Sequence, residues 1–180
     1  MLSLAEVKEK IGRVLGPTYP DPAVARIAGN EVYFARGAYE KLQQDPLAMR
    51  AMTDAVLAIP GIAGIFRAEE LAGGVKNLSP TRTAVQLSYF PGRSGDLYLL
   101  QQPYWLTEST PEGSKRYTGT GHGTPYSYDQ RVPILLMGFG IKPGQYFDEV
   151  TPADIAPTLA ALTGVTLATR EGQILRAALK

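Results

Sequence analysis

Residues 121–141 read Gly121-His122-Gly123-Thr124-Pro125-Tyr126-Ser127-Tyr128-Asp129-Gln130-Arg131-Val132-Pro133-Ile134-Leu135-Leu136-Met137-Gly138-Phe139-Gly140-Ile141. A histidine set between two glycines lacks neighbouring side chains that would bury it. Glycine on both sides also permits backbone conformations closed to other residues and the close approach of a ligand. Pro133 to Gly138 is apolar, strand-sized and unbroken, the pattern of a strand buried on both faces. A polar loop leads into the histidine and this strand follows it. The order predicts an imidazole presented at the edge of a sheet, as metal ligands and phosphate-contacting histidines are. The same residues also fit a turn whose histidine only bonds a nearby carbonyl.

Outward from this stretch the elements are short and mixed. Asp96 to Gln102 predicts a strand in which Leu97 and Leu99 alternate against Tyr98 and Leu100. Ser79-Pro80 opens a helix through about Tyr89, which Pro91-Gly92 closes. Asp45-Pro46 opens another, with Leu47, Ala51, Met52, Ala55, Val56 and Ile59 on one face; Pro60-Gly61 stops it, and Ile62 to Phe66 follows as a strand. Val24 to Ile27 and Glu31 to Ala35 flank Gly29-Asn30, a pair suited to a tight hairpin. Asp21-Pro22 could alternatively open a short helix there. Ser3 and Glu6 form a capping-box signature ahead of a helix over residues 4–15. Toward the C-terminus, Thr151-Pro152-Ala153-Asp154 caps a last helix with Ile155, Leu159 and Leu162 inward and Gly164 at its end. Pro103 to Tyr117 reads as loop. The fold class expected is α/β, with α+β open: a mixed β-sheet flanked by helices in a single domain over 1–180.

Composition narrows the chemistry. At 180 residues, with a formal charge of +1 and 19% charged residues, this is an ordinary globular chain, not a basic module that seeks polyanions. Zero cysteine excludes disulfide scaffolds, thiolate zinc sites and cysteine nucleophiles, and a single histidine excludes any site drawing two imidazoles from this chain. MLSLAEVKEK at the N-terminus lacks the order of a signal peptide, and no stretch is long and apolar enough to span a membrane. The chemistry has few ligands to draw on.

Gly121 to Asp129 followed by Val132 to Ile141 resembles the C-terminal part of the alkaline phosphatase superfamily, in its type I phosphodiesterase/nucleotide pyrophosphatase-like branch. There a histidine-glycine turn with a proline is followed by a tyrosine-aspartate pair, a valine-proline strand and a glycine-rich strand end. Gly95 to Leu99 and Val150 to Leu162 are similar to the superfamily as well. The match is specific over 95–164 and looser over 1–94. The resemblance implies an alkaline phosphatase-like fold and hydrolysis of phosphate esters at a binuclear metal site, with two ions, usually zinc, clamping the attacking and leaving oxygens. It also implies a threonine or serine nucleophile that is itself phosphorylated. By position, His122 resembles the family's last histidine, a ligand of one metal.

The departures are as informative as the match. The family's nucleophile and its other metal ligands precede the part that this chain resembles. The expectation is therefore no catalytic nucleophile in this chain, one metal ligand in His122, and the C-terminal segment of a longer hydrolase that is inactive alone. Its partners would be the upstream segment of the same protein and a phosphate-ester substrate, with no nucleic acid and no membrane. Export of the parent protein fits the family. The alternative is a non-catalytic interaction or regulatory module derived from the same fold.

Other readings of the residues are weaker. Thr120, Thr124 and Ser127 lie near the histidine, but a triad needs a carboxylate to orient the base, and Asp129 is the only one in the motif. Asp129 reads as structural and Asp96 as a turn residue. The glycine pairs Gly138-x-Gly140 and Gly73-Gly74 form neither a dinucleotide fingerprint nor a P-loop. Tyr89, Tyr98, Tyr104, Tyr117, Tyr126 and Tyr128, with Trp105, Arg93, Lys115 and Arg116, suit strand-face packing better than base stacking at this net charge.

Overall fold

A computed structural model describes residues 1–73, 79–107, 121–168 and 171–180. The chain divides into two compact units, Met1–Arg131 and Val132–Lys180.

The first unit begins with α1, Leu4–Leu15, whose N-cap Ser3 accepts the Glu6 amide and whose buried stripe is Val7, Ile11 and Leu15. Strands β1 (Val24–Ala28) and β2 (Glu31–Phe34) pair antiparallel around Gly29-Asn30, so the hairpin forms rather than the helix at Asp21-Pro22. A short α2 (Ala38–Gln43) precedes α3 (Pro46–Leu57), where the Asp45 carboxylate caps the Ala48 amide at 3.0 Å. Then come β3 (Ile62–Arg67), α4 (Ala68–Ala72), α5 (Pro80–Ser88) capped by Ser79, and β4 (Leu97–Gln101). A single turn of helix, α6 (Ser127–Gln130), closes the unit.

The sheet runs β1-β2-β4-β3, antiparallel at each pairing. An isolated parallel bridge joins Leu2 to Thr107. This is the α/β arrangement of a sheet flanked by helices. Alternation in β4 follows the predicted phase, with Leu97, Leu99 and Gln101 buried and Tyr98 and Leu100 half-buried. These leucines meet Val32, Phe34 and Ile62 from the sheet, Val7 and Ile11 from α1, and Met49, Met52 and Val56 from α3 in one core. In α3 the inward face is Met49, Met52 and Val56, while Leu47 is exposed. Of the expected stripe, Met52, Val56 and Ile59 are buried and Ala55 half-buried, while Leu47 and Ala51 are exposed; Met49, a side chain that fills irregular core space readily, takes the first inward place instead.

The second unit differs most from expectation. Pro133 to Gly138 forms no strand among the described residues. A strand needs a neighbour to receive its backbone hydrogen bonds, and among the described residues of this unit none pairs with 133–138 as a strand. What organises the unit is Asp154, beneath α7 (Ile155–Thr163). Its carboxylate accepts the Thr151 and Gln173 amides, both at 2.7 Å. The Thr158 hydroxyl donates to the Asp154 carbonyl at 2.7 Å and accepts the Leu175 amide at 2.9 Å. The buried positions of α7 are thus Pro157 and Thr158, while Leu159 is exposed and Ile155 and Leu162 only half-buried. The predicted inward face assumed an apolar partner; in this unit a polar clamp takes its place. Ile141 and Leu179 pair as an antiparallel bridge that ties down the C-terminal residues.

Candidate functional site

The turn that carries His122 is built on α6. Asp129 Oδ2 accepts the Thr124 amide at 2.7 Å, and the Asp129 amide donates to the Tyr126 carbonyl at 2.9 Å. Gln130 Nε2 donates to the Pro125 carbonyl at 3.0 Å, and Pro125 is buried. Gly123, at φ 97°, takes the left-handed backbone that turns the chain between the histidine and this helix. His122 itself is exposed. Gly119 and Thr120 lie outside the described residues, as do Lys115, Arg116 and Tyr117.

The Asn30 side chain and the Gln101 carbonyl hold the turn, and Tyr98 and the Gln101 side chain hold Asn30. Asn30, in the β1–β2 connection, donates from Nδ2 to the Tyr98 hydroxyl at 3.1 Å and to the Gly123 carbonyl at 3.4 Å. Gln101 Nε2 donates to Asn30 Oδ1 at 2.9 Å, and the Gln101 carbonyl accepts the Tyr126 hydroxyl at 2.5 Å. Burial pushes the Tyr98 and Tyr126 hydroxyls up, which keeps both neutral. The rings of Tyr104, Tyr128 and Tyr126 stack in series, at 4.7 Å and 5.6 Å between centroids, and the Tyr128 hydroxyl accepts the Tyr104 amide. The imidazole therefore sits on a turn whose base is fixed to the strands by hydrogen bonds.

The sequence reading missed Asn30, Tyr98 and Gln101. Asn30 looked like any turn asparagine. Gln101 did carry a signal: it is a polar residue in phase with the inward Leu97 and Leu99.

The two aspartates are occupied by backbone amides. Asp129 is taken up by Thr124, and no hydrogen bond joins His122 to a carboxylate among the described residues, which leaves a hydroxyl–histidine–carboxylate triad without its orienting member. Asp96 Oδ2 accepts the Phe34 amide at 2.8 Å and stitches β4 to β2. Burial raises its carboxyl, and the Phe34 amide partly offsets this. Among the described residues no group of three or more histidine, aspartate or glutamate side chains converges to hold a metal ion. The donor chemistry of His122 suits one ligand position, since a neutral imidazole is a good zinc ligand. The described residues do not fit a complete site.

The geometry defines an α/β protein that presents a single braced imidazole. No family model matches the chain. It is 32% identical over 143 residues to alkaline phosphatase PhoV of Synechococcus elongatus, covering 76% of this chain and 24% of that protein. It is 29% identical over 160 residues to alkaline phosphatase PafA of Elizabethkingia meningoseptica, covering 88% of this chain and 27% of that one. The crystal structure of wild-type PafA superposes with a TM-score of 0.74 at 23% identity, covering 100% of this chain and 34% of its own. The chain carries the fold of the alkaline phosphatase superfamily, in its C-terminal part. It spans about a quarter of the length of the curated relatives it matches.

Proposed function

We propose that this chain is the C-terminal segment of a metal-dependent phosphate-ester hydrolase and supplies one metal-binding side chain, His122, to a site completed by polypeptide upstream of it. The observation that carries the reading is the braced turn: an exposed imidazole, free of carboxylate partners among the described residues, on a base fixed to the sheet through Asn30, Gln101 and Tyr126. A ligand gains most when its position is set before the metal arrives, and hydrogen bonds behind the ligand do this. When bound, divalent ions at such a site stabilise the charge of the phosphoryl group and of the attacking and leaving oxygens.

The chain's own residues have narrower tasks. Gly123 leaves open space on one side of the histidine, while Gly121 on the other lets the backbone pass close to Leu106 Cδ2, 3.1 Å from where a Cβ would stand. Asp129 and the Gln101 carbonyl hold the turn from opposite ends, through Thr124 and Tyr126. Type I phosphodiesterase specificity, zinc as the metal and two ions per site are parts of this proposal, as are the single domain over 1–180 and inactivity of the chain alone.

The test is a chimaera in which this chain replaces the stretch of Elizabethkingia meningoseptica PafA that it matches. The chimaera is expected to hydrolyse p-nitrophenyl phosphate when supplied with zinc, and the isolated chain is not. Turnover by the isolated, zinc-supplied chain would refute the proposal.

A further inference from the structure

Gln102-Pro103-Tyr104-Trp105 closes a tight turn after β4, with the Trp105 amide donating to the Gln102 carbonyl at 3.2 Å. Proline at the second place suits such a turn, and a positive φ at the third ordinarily calls for glycine or asparagine. Here the third place holds Tyr104 at φ 66°, the one non-glycine residue with positive φ among the described residues. A Cβ bearing a large ring makes that conformation costly. Folding of the unit recovers little from the ring, because Tyr104 is 82% exposed. Nor does the ring pack on a strand face, the place that the sequence suggested for it. Costly backbone that does not serve the fold is the mark of a functional position.

What the turn fixes is the direction of the ring. Tyr104 stacks on Tyr128 with 16° between the planes, its amide donates to the Tyr128 hydroxyl at 2.9 Å, and Tyr128 stacks on Tyr126 with 18° between the planes. Tyr126 is rooted in β4 through the Gln101 carbonyl, and Tyr128 lies in α6, the helix that carries the histidine turn through Asp129 and Thr124. Three near-parallel rings therefore run outward from the base of that turn. Four residues, at most about 14 Å of chain, separate His122 from Tyr126. Within this unit the outer face of Tyr104 is the open end of the tier. We infer that this face is a stacking subsite for a planar aromatic group carried by the alcohol part of the phosphate ester, which makes Tyr104 a specificity-determining residue. The π-face of a fixed tyrosine accepts such a group whatever its substituents, and it offers nothing to an aliphatic one.

The subsite rests on the proposed function for its ester, and its test has one arm that does not. In the zinc-supplied PafA chimaera, Tyr104→Gly keeps the positive φ and removes the ring. Its KM for adenosine 5′-monophosphate is expected to rise about 10-fold with kcat unchanged, the scale of one stacked base lost from uniform binding. Its KM for ribose 5-phosphate, which has the same sugar and phosphate without the base, is expected to stay at the parent value, and Tyr104→Phe is expected to keep the parent KM for both. An equal change for the two esters, or none for either, would overturn the inference. A chimaera without turnover would refute the proposed function instead, and the second arm then decides. In the chain alone, the ring resonances of Tyr104 are expected to move on titration with adenosine and to stay in place with ribose; an unmoved Tyr104 would overturn the subsite. Tyr104→Gly of the chain alone is expected to melt at or above the parent temperature. A lowered melting temperature would show that the ring serves the fold and would contradict the assignment.

Discussion

Asn30 is the residue on which the brace depends, and Asn30→Ala removes three hydrogen bonds at once. Those to Tyr98 at 3.1 Å and Gln101 at 2.9 Å lie in the half-buried interior, while that to Gly123 at 3.4 Å is longer and exposed. An intramolecular hydrogen bond contributes about 0.5–1.5 kcal/mol net, and a buried donor left without a partner costs about 1–3 kcal/mol. Gln101 is only 4% exposed, so its amide would be stranded. The expected loss is about 2–3 kcal/mol, a large share of the roughly 5–15 kcal/mol that keeps a domain folded. The turn itself survives the change, because the positive φ of the connection, 57°, belongs to Gly29 and not to Asn30. Urea unfolding followed by Trp105 fluorescence measures the loss in the first unit. Asn30→Asp is expected to fall between the two, since it keeps the acceptor for Gln101 and loses both donors. A loss below about 0.5 kcal/mol for Asn30→Ala would refute the brace, because that is the level of an ordinary surface change.

Three further outcomes are expected. Leu99→Ala, at a fully buried position in β4, should cost about 2–5 kcal/mol in the same urea titration. Asp45→Ala should cost about 0.5–2 kcal/mol by uncapping α3 at the Ala48 amide, with Asp45→Ser recovering most of it. The Thr151 and Gln173 amides hold the Asp154 carboxyl below its ordinary range. A depressed folded value stabilises above the unfolded one and is lost as pH falls through the folded one. The second unit should therefore loosen only below about pH 4, seen as accelerated exchange of the Gln173 amide on acidification.

Much of this architecture is legible from local signals, because the signals are local. Ser3, Asp45 and Ser79 each cap the helix that their side chains announce. The Gly29-Asn30 pair makes its hairpin, and Leu97 and Leu99 alternate inward as written. What escaped depends on partners distant in sequence. Pro133 to Gly138 has the composition of an inner strand, yet pairing is a property of two segments, and composition speaks for one. The face of α7 is set by Asp154 and Thr158 reaching the Gln173 and Leu175 amides, contacts that no periodicity encodes. At the site, the glycine-flanked histidine stood out at once, whereas its support from Asn30 and Tyr98 spans 93 and 68 residues of separation.

The central claim is that His122 is a metal ligand of a phosphate-ester hydrolase that this chain only partly builds. Its most direct test is the kcat/KM of the chimaera for p-nitrophenyl phosphate, with His122 intact and as His122→Ala. Loss of a group that merely supports a ligand costs about 10–100-fold, so loss of the ligand itself should lower kcat/KM by at least about 100-fold while β1–β4 amides stay protected. Undiminished kcat/KM in His122→Ala would contradict the account.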